Sequence, residues 1–259
     1  MRDQGLQRAI DAAGGIGVLA RKLGIAQPSV SQWTRVPAER VAAVEAVSGV
    51  TRSQLRPDLF ADAENPAADL DDVDIARSRT YCLLANLLAK PPTVELLERV
   101  GRITGDASPL GLAWIALADA ARSTTEVAAG EEFFKVFVGV GRGEVLPYAS
   151  FYLAGFLHER PLAAIRADLE RLGIERRAGI HEPEDAIATL FDAMAGLIDG
   201  TYTTDPTAQD AFFDAHIKSW GQRLFADILI APSAHFYRAV ADVGRNWIEI
   251  ETRAFAIAA

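Results

Sequence analysis

Apolar residues recur at helical spacing along most of the chain. Leu6, Ala9, Ile10 and Ala13 make the first stripe, and Gly14-Gly15 ends it. Ile16 to Leu23 predicts a second short helix with Leu19 and Leu23 inward, and Gly24 supplies a turn over Ile25. Gln27 to Trp33 predicts a third with Val30 and Trp33 inward, and Pro37 starts a fourth with Val41, Val44 and Val47 as its stripe. The pattern then lapses. From Asp58 to Asp74 there are seven acidic side chains and no basic one, which reads as an exposed, self-repelling connection. The expected organisation is a small domain at 1–60, an acidic linker at 61–73 and a larger helical body at 74–259.

In the body, Ile75 to Lys90 predicts a strong helix carrying Tyr81, Leu84, Leu87 and Leu88, closed by Pro91-Pro92. Thr93 to Val100 is short. Ser108-Pro109 signals the next start, with the serine as cap and proline at the first helical position. The stretch Glu131 to Tyr152 opens as an aromatic helix with Phe133, Phe134 and Phe137, breaks at Gly139, Gly141 and Gly143, and restarts at Pro147. Further helices are expected at Tyr148–Leu157, Pro161–Leu172, Glu184–Ile198, Ala208–Ile230 and Ala234–Phe255, with a loop at 173–182. No run alternates with period two, so the fold class is all-α, a small helix-turn-helix domain followed by a larger helical domain.

Composition narrows the setting. Half of the 259 residues are apolar, enough for a sizeable core. The single Cys82 excludes an intrachain disulfide and multi-cysteine metal sites, and its apolar neighbours predict a buried thiol. No stretch of about 18 apolar residues is present, and the N-terminus has no signal-peptide core; a cytoplasmic protein without membrane insertion is expected. Charge is uneven. Residues 1–60 hold 8 Lys/Arg against 5 Asp/Glu, and the remainder holds 18 against 30, so a polyanion is attracted to the head and repelled by the body.

Two short helices joined at a glycine, the second carrying Gln and Ser, form a helix-turn-helix pattern. Gln27, Ser29, Ser31 and Gln32 suit base edges, and Arg21, Lys22, Arg35 and Arg40 suit phosphates of double-stranded DNA. The plain alternative is a packing module with a polar surface. The core Leu19-Ala20-x-x-Leu23-Gly24-Ile25, then Val30-Ser31-x-Trp33 and Pro37-x-x-Arg40, resembles the small Cro-like repressor domains of phage and toxin–antitoxin regions. A domain of that kind ordinarily needs a homodimer to gain affinity and half-site spacing.

Catalytic signals in the body are weak. His216 and Trp220 are four apart on one side of an expected helix, but no His-Glu-x-x-His or cysteine cluster accompanies them, and His158, His181 and His235 are scattered. The glycines at 139, 141 and 143 lack the Lys-Ser/Thr of a phosphate loop, and Ser150 has no positioned base. Glu184-Asp185 follow Pro183 at an expected helix start, where carboxylates either cap the helix or face outward toward a cation. No metal, cofactor or catalytic residue is expected. Numerous aromatics in acidic surroundings suit an apolar, positively charged polypeptide held between helices.

The body resembles the TorD/DmsD/NarJ family of redox-enzyme maturation chaperones. The matching pieces run in order from about residue 74 to 255. They are Glu131-Glu132-Phe133 through Phe137-Val138-Gly139, then Gly143-x-x-x-Pro147-Tyr148-Ala149-Ser150-x-Tyr152, then Pro183-Glu184-Asp185. Phe212-Phe213-x-x-His216-x-x-x-Trp220 and Phe236-Tyr237 complete the series. The resemblance implies an all-helical chaperone without turnover. It implies binding of the twin-arginine signal or apoprotein of a molybdoenzyme, formate dehydrogenase being one example, until the cofactor is inserted. It also implies Tyr148, Ser150, Tyr152, Pro183, Glu184, Asp185, His216 and Trp220 as client-binding residues, with Asp185 facing the arginine pair. The family often has a histidine after Pro-Glu-Asp, where this chain has Ala186. Typical relatives lack the head, which either reports client status to a promoter or serves as an oligomerisation module. A transcriptional regulator whose body senses a peptide or small ligand is the alternative reading.

Overall fold

The structure, a computed structural model, describes residues 3–60, 70–174, 182–203, 205 and 207–258. Positions 61–69 of the expected linker, and positions 175–181 of the expected loop with His181, lie outside the described residues. The chain divides into two compact units, Met1–Asp69 and Leu70–Ala259.

The head consists of α1 (Gln4–Ala13), α2 (Ile16–Lys22), α3 (Gln27–Ser31), a 3-10 turn at Ala38–Arg40, α4 (Val41–Ser48), α5 (Arg52–Leu55) and α6 (Pro57–Phe60). Asp3 caps α1 through a bond from the Gly5 N–H, and Gly14 ends it in the left-handed conformation. Leu6, Leu19, Val30, Val44 and Leu55 meet at the centre, all fully buried. The fourth predicted helix is delayed to Val41, and the short α5 and α6 follow; four-residue helices are too brief to produce a periodic stripe.

The body runs through α7 (Asp72–Ala89), α8 (Val94–Val100), α9 (Pro109–Ser123), α10 (Glu126–Phe133), α11 (Ala149–Ala154), α12 (Arg160–Arg171), α13 (Ile187–Ile198), α14 (Thr207–His216), α15 (Gly221–Ile230) and α16 (Phe236–Ala258). Among the described residues there is no strand, only an isolated antiparallel bridge between Tyr148 and Ala186. The core joins Tyr81, Leu84 and Leu87 of α7 to Leu190, Phe191 and Met194 of α13, with Phe225 of α15 and Tyr237 and Val240 of α16. Ser108 caps α9 through the Gly111 N–H, as its Ser-Pro start signal predicts.

Two departures from the periodic reading shape the body. The helix expected over 208–230 is two helices. Its apolar stripe does continue, but the chain turns at 217–220: the Trp220 indole N–H bonds the His216 carbonyl at 2.6 Å, and a Cβ on Gly221 would displace the Ile248 side chain. The aromatic helix after α10 loosens into a π-helical turn, Phe134–Val138, closed by the Gly139 N–H on the Phe134 carbonyl. Gly139 then takes φ 65°, and a Cβ there would strike the Arg142 carbonyl, so this bend requires glycine.

Two carboxylates, Glu132 buried and Glu144 exposed, fix the bend in place. Glu132 accepts from the backbone N–H groups of His235, Phe236 and Tyr237 at 2.8, 3.1 and 2.7 Å, capping the start of α16 from a distant helix. Glu144 takes the Ser233 N–H at 3.1 Å and its hydroxyl at 2.6 Å. At the opposite end of α7, Arg77 holds buried Glu251 through two bonds, and the Tyr81 hydroxyl donates to the same carboxylate.

Candidate functional site

A cleft of about 1050 Å³ lies within the body, between the π-turn, the start of α13 and the end of α12. Its floor is apolar: Leu88, Phe133, Phe137, Leu146, Leu169 and Ile187. Exposed Val138 and Leu157 line it. Val140 and Phe156, sequence neighbours of the lining residues Gly141 and Leu157, are 96% and 73% exposed.

Four carboxylates line the cleft: Glu170, Glu182, Glu184 and Asp192. Glu184 is paired with Arg166 at 2.8 Å, and Glu182 accepts the Tyr148 hydroxyl. Burial, reinforced by Glu182, pushes the Tyr148 phenol well above its ordinary range and keeps it protonated. Glu170 and Asp192 have no hydrogen bond or ion pair among the described residues. Asp192 is the one charged side chain in α13, whose other residues are apolar or small. Arg142, also in the lining, lies with its guanidinium 5.0 Å from the centre of the Phe151 ring.

Of the eight motif residues in the body, only Tyr148 and Glu184 line this cleft. Asp185 is 1% exposed, which corrects the expectation that it faces outward. Its carboxylate accepts the Ser150 N–H at 2.9 Å, capping α11, and not α13 as its sequence position suggested. The reason is the bridge: the Ala149 N–H bonds the Asp185 carbonyl and the Ile187 N–H bonds the Pro147 carbonyl, both at 2.9 Å. This pairing turns the Asp185 side chain onto the neighbouring helix. Ser150 is also buried, and its hydroxyl accepts the Glu159 N–H at 3.3 Å. Pro183 is half-buried.

The remaining three are buried, two of them stacked on one another. Tyr152 lies parallel to Trp220 with ring centres 5.3 Å apart, and its hydroxyl donates to Asp227 at 2.7 Å. His216 bonds Asp168 through Nε2 at 2.7 Å. Partial burial opposes the Asp168 charge, but bonds from His216 and Arg171 outweigh it and hold that carboxyl below its usual range. These contacts tie α11, α12, α14 and α15 together behind the cleft. Asp192 and Glu170 line the cleft and were not singled out by the sequence reading; for Asp192 the lone charge in an otherwise apolar α13 was the available signal.

In the head the expectation and the structure agree in orientation. Arg21, Lys22, Gln27, Ser29, Ser31, Gln32, Arg35 and Arg40 are all exposed. Arg21 and Lys22 occupy the last turn of α2, and Gln27, Ser29 and Ser31 lie on α3 with Gln32 at its end. Gly24 makes the turn between them at φ 67°. Among the described residues no cluster of His, Cys, Asp and Glu is placed to hold a metal ion, and no helix is long and apolar enough to cross a membrane.

Comparison with known proteins matches two separate parts of the chain. Residues 104–226 match the family described as nitrate reductase delta subunit, and residues 6–64 match the family described as bacterial toxin YdaS. The chain is similar to the chaperone protein TorD of Aliivibrio fischeri, 26% identical over 203 residues, covering 70% of this chain and 94% of the relative. TorD of Aliivibrio salmonicida is 29% identical over 145 residues, 52% of this chain and 67% of the relative. TorD of Vibrio vulnificus is 27% identical over 155 residues, 53% and 72%.

Proposed function

We propose, for a chain that joins an N-terminal Cro-like helix-turn-helix domain to a TorD-like chaperone domain, that the body holds the twin-arginine signal or apoprotein of a molybdoenzyme while its cofactor is inserted. It does so in the cytoplasm, without turnover and without entering the membrane. Formate dehydrogenase is one client of suitable kind. The observation that carries this reading is the cleft, with an apolar floor, bare apolar residues beside it and two carboxylates not otherwise engaged. Asp192 and Glu170 are assigned the client's arginines, through charge-assisted hydrogen bonds, and the floor takes the apolar stretch that follows. Tyr148 and Glu184 complete the wall. Asp185, Ser150, Tyr152, His216 and Trp220 act on the client indirectly, by holding the cleft's shape, and Pro183 belongs to the same bridge segment.

The test is calorimetric titration of the full chain with a peptide bearing paired arginines and an apolar stretch. Replacing Asp192 and Glu170 together by Asn and Gln is expected to weaken binding by at least about tenfold, each carboxylate supplying a charge-assisted bond of about 1.5 kcal/mol or more. Unchanged affinity removes the assignment.

The head is read as a duplex-DNA-binding domain acting as a homodimer, on the strength of its eight exposed polar and basic residues. Residues 1–60, 61–73 and 74–259 are taken as its extent, the linker and the chaperone domain. Exposure of that whole set also favours a second reading, a transcriptional regulator whose body senses a peptide or small ligand. Salt-dependent binding to the DNA upstream of its own gene, altered by the cleft peptide, is expected of the regulator and not of a chaperone whose head merely oligomerises.

A further inference from the structure

We infer that Asp58 belongs to the nucleic-acid face of the head, as a carboxylate that holds the Arg35 guanidinium until a duplex phosphate replaces it; this rests on the DNA reading of the head. Of the four basic residues assigned to phosphates, Arg35 is the one whose charge is matched by a carboxylate among the described side chains. Its Nη1 lies 3.2 Å from Asp58 Oδ2. The same carboxylate receives two parallel bonds from Arg56, Nε to Oδ1 at 2.7 Å and Nη2 to Oδ2 at 2.8 Å. Arg56 is buried and also donates to the Val36 carbonyl at 2.7 Å, so it is a fixed part of the head.

The two contacts differ in kind. Arg56 meets Asp58 as a planar fork, the strongest arrangement a guanidinium and a carboxylate form. Arg35 adds a single longer bond to an oxygen already engaged, and both of its partners in that bond are about half exposed. A pair of that sort contributes little and exchanges readily for another anion. A phosphate offers the same acceptor chemistry with more charge. Its arrival moves Arg35 alone, because Arg56 continues to neutralise Asp58, and no bare carboxylate is left facing the DNA. Asp58 thereby lowers affinity for any duplex without reading sequence.

The experiment uses the full chain with two duplexes of equal length, one from upstream of its own gene and one of random sequence. Asp58→Asn is expected to tighten binding to both about threefold, the scale of an exposed ion pair. Arg35→Ala in that background is expected to abolish the gain and to lower the salt slope by about 0.9, one phosphate contact. Unchanged or weaker binding by a folded Asp58→Asn protein overturns the inference. Because that variant also removes the carboxylate that Arg56 forks onto, the wild type supplies an independent check: on adding duplex, the Arg35 side-chain NMR signal shifts while that of Arg56 stays. Both signals unmoved in a saturated complex overturns it equally. Wild-type protein that binds neither duplex overturns the DNA reading, and this inference with it.

Discussion

The head and the body each presented eight residues as candidate contacts, and the structure treats the two sets in opposite ways. Every one of the head's eight is exposed, whereas in the body Ser150, Tyr152, Asp185, His216 and Trp220 are buried. The head's short helices and turns have no means of burying Gln, Ser, Arg and Lys side chains of this kind, so these stay at the surface. The body's motif combines carboxylates with backbone N–H groups and aromatics with each other. The five buried ones satisfy their polar groups inside the fold and stand behind the cleft, which only Tyr148 and Glu184 of the set line.

The sharpest way to break this contrast is to remove a buried carboxylate. Glu132→Ala leaves the N–H groups at the start of α16 without an acceptor, two of them buried, and is expected to cost about 3 kcal/mol or more, read as a lower midpoint in thermal or urea unfolding. Asp185→Ala should cost about 1–2 kcal/mol, the range for losing a helix cap. Asp185→Asn retains an acceptor for the Ser150 N–H, so it is expected to leave peptide affinity within about twofold. A large affinity loss in a stable Asp185→Asn protein would show that Asp185 meets the client after all.

In the head the same operation should affect stability little and binding strongly. Replacing Arg21 and Lys22 by Ala is expected to lower duplex affinity several-fold, reduce the salt slope by about 1.8 and leave the unfolding midpoint nearly unchanged. The smallest effect concerns acidity. Bonds from Arg56 hold the Asp58 carboxyl at about 2, below the usual 3.8. A lowered folded value means that the stabilisation is present above about pH 4 and is lost as pH falls toward 2. Circular dichroism of the head between those values should show a small loss that Asp58→Asn abolishes.

Much of the fold was legible because its signals are local. Stripes of Leu and Val, the Ser108-Pro109 start and the glycine break at 139–143 act over a few residues. The turn at Trp220 was not legible, because it depends on Ile248 approaching Gly221 and on an indole bonding a carbonyl, while the apolar period runs through it unbroken. The site was only partly legible for a related reason. The motif Pro183-Glu184-Asp185 does lie beside the cleft, but that Glu184 lines it while Asp185 is buried follows from the pairing of Tyr148 with Ala186, a contact across 38 positions of sequence. Asp192 stood out only as a charge in an apolar helix.

The most direct test of the account is a comparison of Asp192→Asn with Asp185→Asn in calorimetric titration of the full chain by a twin-arginine peptide. Weaker binding by Asp192→Asn, with Asp185→Asn close to the wild type, is the predicted result. The reverse order, with both proteins equally folded, would contradict it.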